Sequence, residues 1–306
     1  MTLTLEQLRI FVAVAEREHV TQAARALNLT QSAVSAAVSA IEARHGVKLF
    51  DRVGRRIELT EGGRTFLTEA RAVLARAAAA ETVLSDLAGL KRGAVTLAAS
   101  QTVASYWLPP LMARYRAEFP GIALRLTIGN TESVAAMVRE GEVDLGFVEG
   151  EVEDPTLEVK PVADDQLIVV TAAAHAPRRR VPLDAADMKA LRWVFRERGS
   201  ATRSIFEAAL ARHGIEPASL DVILELPSNE AVRAAVEHGA GAAALSRLAV
   251  ADALASGALV ALNFALPMRQ FYLLRHRERW VSQAERELLK MVANKPSQAT
   301  RRTRPA

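Results

Sequence analysis

The chain has 306 residues, half of them hydrophobic and 24% charged; this excludes a disordered or fibrous protein and leaves room for two or three compact units. It contains no cysteine, which excludes disulfides and thiolate metal sites and suits a reducing cytoplasm. The formal charge of +4 and pI of 9.7 permit nucleic-acid binding without establishing it, and no apolar run approaches a membrane span.

Met1 to Ile10 carries Glu6 and Arg9 where an export signal needs a continuous apolar run, so no secretory signal is expected. Leu8, Phe11, Val12 and Ala15 fall at i, i+3, i+4 and i+7, which predicts an amphipathic helix over Leu5–Arg17. Thr21 is the expected cap of a second, short helix through Ala26 and Leu27. Asn28-Leu29-Thr30 then reads as a tight turn, with Thr30 capping a third helix from Gln31 to about Arg44 that buries Val34, Val38 and Ile41.

The opposite stripe of that third helix, Ser32, Ser35, Ala36, Ser39 and Ala43, is small and nearly uncharged. By itself it fits either a helix laid in the DNA major groove or an exposed helix of an alanine-rich protein. The next segment favours DNA. Gly46 to Thr60 reads as two short strands around Val53-Gly54-Arg55, and Arg44 to Arg64 holds six Lys/Arg against Asp51, Glu58 and Glu61. Arg52, Arg55 and Arg56 at a hairpin tip are placed to reach phosphates or a narrow minor groove.

Leu5 through Thr65 resembles the DNA-binding domain of LysR-type transcriptional regulators, with Leu49-Phe50-Asp51-Arg52 and Leu59-Thr60-Glu61-Gly62-Gly63 matching the family pattern in place and spacing. The resemblance implies that Gln31, Ser32, Ser35 and Ser39 read bases or grip the backbone, and that Arg52, Arg55 and Arg56 lie on the wing. Ala36 and Ala37 stand where many members carry a long Arg or Gln, which implies sparse direct readout and more reliance on operator shape.

Phe66, Ala70, Val73, Ala77, Ala80, Leu84 and Leu87 are spaced 4-3-4-3-4-3, an a/d seam that predicts a dimerisation helix capped by Thr60 and ended by Gly89 to Gly93. A lone helix packed on its own domain is the other reading of the same spacing. In the family this helix pairs two subunits into homodimers, and homotetramers built from two dimers are frequent.

From Gly93 onward short apolar strands alternate with amphipathic helices. Strands are expected at Val95–Ala99, Leu124–Ile128, Asp144–Val148, Leu167–Thr171, Trp193–Phe195, Val222–Leu226 and Ala242–Leu245. Helices are expected at Trp107–Phe119, Val134–Glu140, Thr202–His213, Glu230–His238 and Leu248–Ser256. This resembles the two-lobed, periplasmic-binding-protein-like α/β effector domain of the same family, crossed by the chain near Ala163–Gln166 and Phe264–Pro267. The expected fold class is thus a mixed α+β and α/β chain. It comprises a winged helix-turn-helix (1–60), a linker helix (61–92) and an effector domain (93–295). Lobe I takes about 93–163 and 267–295, lobe II about 164–266, and 296–306 forms a disordered tail.

In such a fold a ligand sits between the carboxyl ends of strands and the starts of helices. Four such corners carry short polar residues: Ser100-Gln101-Thr102, Gly129-Asn130-Thr131, Gly199-Ser200-Ala201-Thr202 and Pro227-Ser228-Asn229. Singly each reads as a helix cap, but four on one cleft suit an anion or carboxylate. Arg196, Arg198 and Arg203 add charge at the third corner. Arg196 to Arg203 is similar to a loop in the branch that includes regulators of sulfur assimilation and carbon fixation; Gly129-Asn130-Thr131 and Gly146-Phe147-Val148-Glu149-Gly150 fit the same branch. The implied effector is a small oxyanion or anionic metabolite, with Ser100, Gln101, Thr102, Asn130, Thr131, Glu149, Arg196, Ser200, Thr202 and Ser228 as its expected contacts.

The acidic run Glu149, Glu151, Glu153, Asp154 lacks the spacing of a calcium loop and reads as a solvated loop. His175, His213, His238 and His276 are scattered, and no nucleophile elbow, Walker loop or GxGxxG follows a strand. Neither an enzyme, a cofactor nor a metal is expected. A solute-binding protein suits the last two-thirds alone but leaves the winged helix-turn-helix unexplained. The expected partners are operator DNA, a small anionic effector, a second copy of the chain and RNA polymerase, in the cytoplasm and away from membranes.

Overall fold

The computed structural model describes residues 3–53, 56–87, 93–150, 152–176 and 182–294, and of residues 53, 56, 82 and 85–87 the backbone alone. Gly54 and Arg55 of the wing, the end of the linker past residue 87, and the tail from 296 lie outside the described residues. The chain divides near residue 90 into two units, taken in turn below.

In the first unit Thr4 and Gln7 close a reciprocal capping box on α1 (Leu5–Arg17), which buries Leu8, Phe11, Val14 and Ala15. The second helix, α2, runs Val20–Leu27 with His19 as its extended N-cap, so Thr21 lies inside the first turn and is not the cap. Asn28 takes the left-handed conformation (φ 56°) that the tight turn requires. Thr30 caps α3 (Gln31–His45) by accepting from the Ala33 amide at 3.2 Å.

Strands β1 (Phe50–Val53) and β2 (Arg56–Leu59) pair antiparallel, Phe50 opposite Leu59. Glu42 ties this hairpin to the end of α3: its carboxylate accepts from the amides of Leu49 (2.8 Å) and Phe50 (3.2 Å) and from Lys48 Nζ (3.2 Å). Against partial burial, those donors hold the Glu42 carboxyl below its usual range. Thr60 donates to the Lys48 carbonyl and accepts from Gly63, which starts α4 (Glu61–Leu87). A Cβ on Gly63 would run into the Leu49 carbonyl, so the close approach of α4 to the hairpin base requires glycine.

The expected seam of α4 is divided in use. Ala70 is buried and Phe66 packs on Phe11 (ring centroids 4.7 Å), so its first turns belong to the helix-turn-helix core. Val73 and Leu84 remain 47% and 67% exposed, and the Leu87 side chain lies outside the described atoms.

The second unit is built on a nine-stranded sheet in the order β4-β3-β5-β11-β6-β9-β7-β8, with β10 on β6. One half holds β3 (Gly93–Ser100), β4 (Ile122–Gly129) and β5 (Leu145–Glu149), with α5 (Leu108–Glu118) and α6 (Thr131–Glu140) between them. The strand β6 (Leu157–Ala172) is longer than expected and crosses the sheet: Leu157–Gln166 pair with β11 (Met268–His276) and Leu167–Thr171 with β9 (Ala242–Ser246). The other half holds α7 (Ala185–Ala190), β7 (Arg192–Arg196), α8 (Ala201–Arg212), β8 (Asp221–Leu226), α9 (Asn229–Glu237), α10 (Ala251–Ala255) and β10 (Leu259–Ala261), and α11 (Gln283–Ala293) closes the unit. Helix α10 is shorter than expected, while α7, β10, β11 and α11 are additions to the sequence reading. The first half of β6 is obscured in sequence by Pro161, which pairs with Tyr272 beside the register shift that skips Val162, where a strand tolerates proline.

Buried at the start of α11, Glu285 accepts from the Ser282 amide (3.2 Å) and hydroxyl (2.8 Å). Burial pushes its carboxyl up to about 7 from the usual 4.5, with the Asp144 charge adding to the shift and Ser282 opposing it. This raised carboxyl leaves stability fullest below 4.5 and removes it as the pH rises through about 7. The loss is on the order of 3 kcal/mol. Glu285→Gln keeps the accepting oxygen and removes the titration. Calorimetry from about pH 5 to 8 is expected to show its melting temperature falling less than that of the wild-type chain.

Candidate functional site

Two places gather the residues that carry chemistry. On α3, Ser32, Ser35, Ala36, Ser39 and Ala43 all lie exposed, as does Gln31 at its first position, while Val34 and Ile41 are buried on the other side. Ser32, Ser35 and Ser39 fall at i, i+3 and i+7, one face of the helix, and the Ser32 hydroxyl lies 3.0 Å from that of the cap Thr30. Beside it in sequence the hairpin exposes Arg52 on β1, and Arg56 opens β2.

The second place is where the strands of the second unit end. Ser100 closes β3, Asn130 and Thr131 follow β4, Glu149 closes β5, Arg196 closes β7, Ser200 precedes α8 and Ser228 precedes α9. Gly199 (φ +83°) passes so near Asn130 that a Cβ there would meet its Nδ2 at 2.8 Å. Gln101 and Thr102 lead into a π-helical turn, Val103–Trp107, a feature often found at functional sites.

Several of these polar groups are spent on the fold. The carboxamide of Asn130 accepts from the Ser133 amide and Ser228 from the Ala231 amide, so both act as caps. Thr131 donates to the Glu149 carbonyl, and Ser100 reaches the Phe147 carbonyl at 3.4 Å. Arg196 is bidentate on Glu197 (2.7 and 2.8 Å) and donates to Asn229 Oδ1 at 2.6 Å. Arg203 pairs with Glu207 and Glu225. The positive charge expected at the third corner is therefore answered by carboxylates at Arg196 and Arg203. Ser200 differs: it is buried, and its side chain makes no capping bond to α8.

The polar cluster at these strand ends is tied together by a residue that sequence reasoning missed. Arg269, buried on β11, donates from Nε to Asp165 (2.7 Å), from Nη1 to the Thr202 hydroxyl (3.0 Å) and from Nη2 toward Thr102 (3.4 Å). Asp165 also accepts from Ser246 at 2.7 Å. Asn229, 1% exposed, joins the halves by donating to Thr102 and, through its backbone amide, to Gln101 Oε1, both at 3.0 Å. The available signals were a charged residue inside each of two strand segments, Asp165 and Arg269, and an asparagine directly after a helix cap. Among the described residues no cluster of His, Asp or Glu has the makings of a metal site, and no helix is long and apolar enough to cross a membrane.

Residues 5–64 match the family described as "Bacterial regulatory helix-turn-helix protein, lysR family", and residues 88–296 match "LysR substrate binding domain". The chain is 37% identical over 291 residues to the uncharacterized HTH-type transcriptional regulator YeiE of Escherichia coli, covering 94% of this chain and 97% of that one. It is 32% identical over 289 residues to a probable RuBisCO transcriptional regulator of Cyanidioschyzon merolae, covering 93% and 95%. Among solved structures it is similar to the regulatory domain of Synechocystis CcmR in complex with 2-PG, at 27% identity and a TM-score of 0.60, over 66% of this chain and 96% of that one.

Proposed function

This chain belongs to the LysR family of transcriptional regulators, and on that premise we propose how its two units divide the work. The exposed small-residue face of α3 lies against the major groove through Gln31, Ser32, Ser35 and Ser39, and Arg52, Arg55 and Arg56 of the wing bind phosphates. The effector unit holds a small anion at the start of α8, between Ser200, Thr202 and Thr102, with Arg269 behind the two threonines and Gln101, Asn130, Thr131, Arg196 and Ser228 shaping the walls. The observation that carries the anion reading is the uncapped start of α8 beside two hydroxyls oriented by a buried guanidinium. A relative whose regulatory domain takes a small ligand supports it. Ligand binding shifts the balance between arrangements of the two half-sheets, and the change reaches DNA through the linker. The chain acts in the cytoplasm, without catalysis, where RNA polymerase is the further partner a DNA-bound regulator meets.

Self-association follows from what the surface leaves open. Val73 and Leu84 stand exposed on α4, and the two edge strands of the large sheet expose Ile128 on β4 and Val222, Ile223 and Leu224 on β8. The linker pairs two chains, and the effector edges supply the contacts of a dimer or tetramer. Val73→Glu with Leu84→Glu would place charges in the seam, so this double variant is expected to lose cooperative operator binding and mass in sedimentation. Wild-type mass together with full operator affinity would remove the linker from the interface.

The whole reading is tested by selecting fragments of the source genome with the purified full chain, then repeating the binding while titrating small anions. Absence of any enriched fragment refutes DNA regulation. Enrichment that no tested anion alters, together with no change in melting temperature, refutes the effector assignment.

A further inference from the structure

The acids that converge on the effector cleft are not equally provided for. Asp165 receives Arg269 Nε and the Ser246 hydroxyl, and Glu197 receives the Arg196 guanidinium. Glu149 is not part of a solvated loop, as its acidic neighbours suggested: it closes β5 and is only 3% exposed, yet no described residue donates a hydrogen bond to its carboxylate. The described cation within reach, Arg269 Nη2, stands at 3.9 Å, outside hydrogen-bond range. The Glu149 oxygens are not among the sealed polar atoms of the described residues, so the donor they lack is water or a ligand group that replaces it.

Its position says what that is. Arg269 directs that same Nη2 toward Thr102 at 3.4 Å and Nη1 to Thr202 in the first turn of α8 at 3.0 Å, so Glu149 shares one guanidinium with both hydroxyls. The next residue, Gly150 (φ +81°), brings this chain segment against the first turn of α8: a Cβ there would touch the Ala201 Cβ at 3.5 Å. Anion-binding donors and an unfilled acceptor are thus side by side.

We propose that Glu149 accepts a hydrogen bond from the effector, which makes the effector a small acid bearing a hydroxyl or ammonium group and not a bare oxyanion. The proposal rests on the reading of the cleft as an anion site. The acid group of the ligand takes Ser200, Thr202 and the α8 amides, while its donor group fills the Glu149 carboxylate. A bare oxyanion meets Glu149 as a like charge with nothing to offer it, so one residue both selects the right ligand and rejects the wrong one.

The test is calorimetric titration of the full chain with matched probes: glycolate against acetate, lactate against propionate, alanine against propionate, and sulfate as the bare oxyanion. The donor-bearing member of at least one pair is expected to bind roughly ten- to a hundredfold more tightly, the range of a hydrogen bond to a charged group. The hydroxyl and ammonium pairs distinguish a hydroxy acid from an amino acid. In Glu149→Met, acceptor and charge are both gone. The members of the selected pair are then expected to bind alike, and the bare anion more tightly than it binds the wild-type chain. Glu149→Gln carries the same comparison, with a narrowed gap, should the methionine variant melt too low to study. Equal binding of every pair by the wild-type chain, or a preference that survives in both variants, overturns the assignment of Glu149. Failure of every probe, sulfate included, to bind the wild-type chain overturns the anion site itself.

Discussion

Replacing Arg52, Arg55 and Arg56 together by alanine is expected to lower operator affinity on the order of a hundredfold at about 0.15 M salt, and random-DNA affinity by a similar factor. Each phosphate contact releases condensed counterions, so each one lost makes the plot of log affinity against log salt shallower by about 0.9. Three lost contacts per wing change that slope by roughly 3, and the loss is greatest at low salt. Glu42 and Thr60 hold the base of the hairpin from residues the substitution leaves alone, so the wing keeps its fold while losing its charge. The α3 face keeps its serines, so the order of preference among operator variants is expected to persist as affinity falls. Fluorescence titration over a salt series checks both. An unchanged slope would take the wing off the DNA, and a changed order of preference would make the arginines readers of groove shape as well as phosphate anchors.

What could be read from the sequence depended on how local the cause was. The first unit was legible because its signals are short in range: the stripe of Leu8, Phe11 and Ala15, the left-handed Asn28, the cap at Thr30 and the glycine at 63 each act within a few residues. Thr21 misled because a polar residue inside a first turn resembles a cap one position on. The alternation of apolar strands and helices likewise announced the α/β unit, but β11 and the first half of β6 stabilise each other across about a hundred residues of sequence, and neither has a strong pattern alone. The same distance hid Arg269. Its Cα partner across the β6–β11 ladder is Asp165, so the pairing follows from strand register, which no local spacing reports. The threonines at 102 and 202 were visible as polar corners; that one guanidinium orients both was not.

That buried pair carries the largest expected effect on stability. Asp165 and Arg269 are 1% and 2% exposed at the side chain, 2.7 Å apart, at the point where β6 passes from one half of the sheet to the other. Asp165→Ala leaves the guanidinium in the interior with Glu149 at 3.9 Å as its remaining described counter-charge, and it frees the Ser246 hydroxyl. Removing one member of a buried ion pair costs about 3–5 kcal/mol, because the other stays desolvated and unpaired. For a unit of this size that corresponds to a melting temperature lower by roughly 6–20 °C. Arg269→Met is expected to cost a similar amount through the opposite charge, and it also releases Thr102 and Thr202. The double variant Asp165→Leu with Arg269→Met removes both charges and is expected to be more stable than either single variant, since neither partner is left bare. Because the orienting guanidinium is then gone, the double variant is still expected to bind the small-anion probes weakly. Thermal unfolding of the four chains, with anion titration of the wild-type and double variants, separates the two roles. A double variant as unstable as the sum of the singles would mean that the pair is not coupled, and one that binds anions normally would remove Arg269 from the effector site.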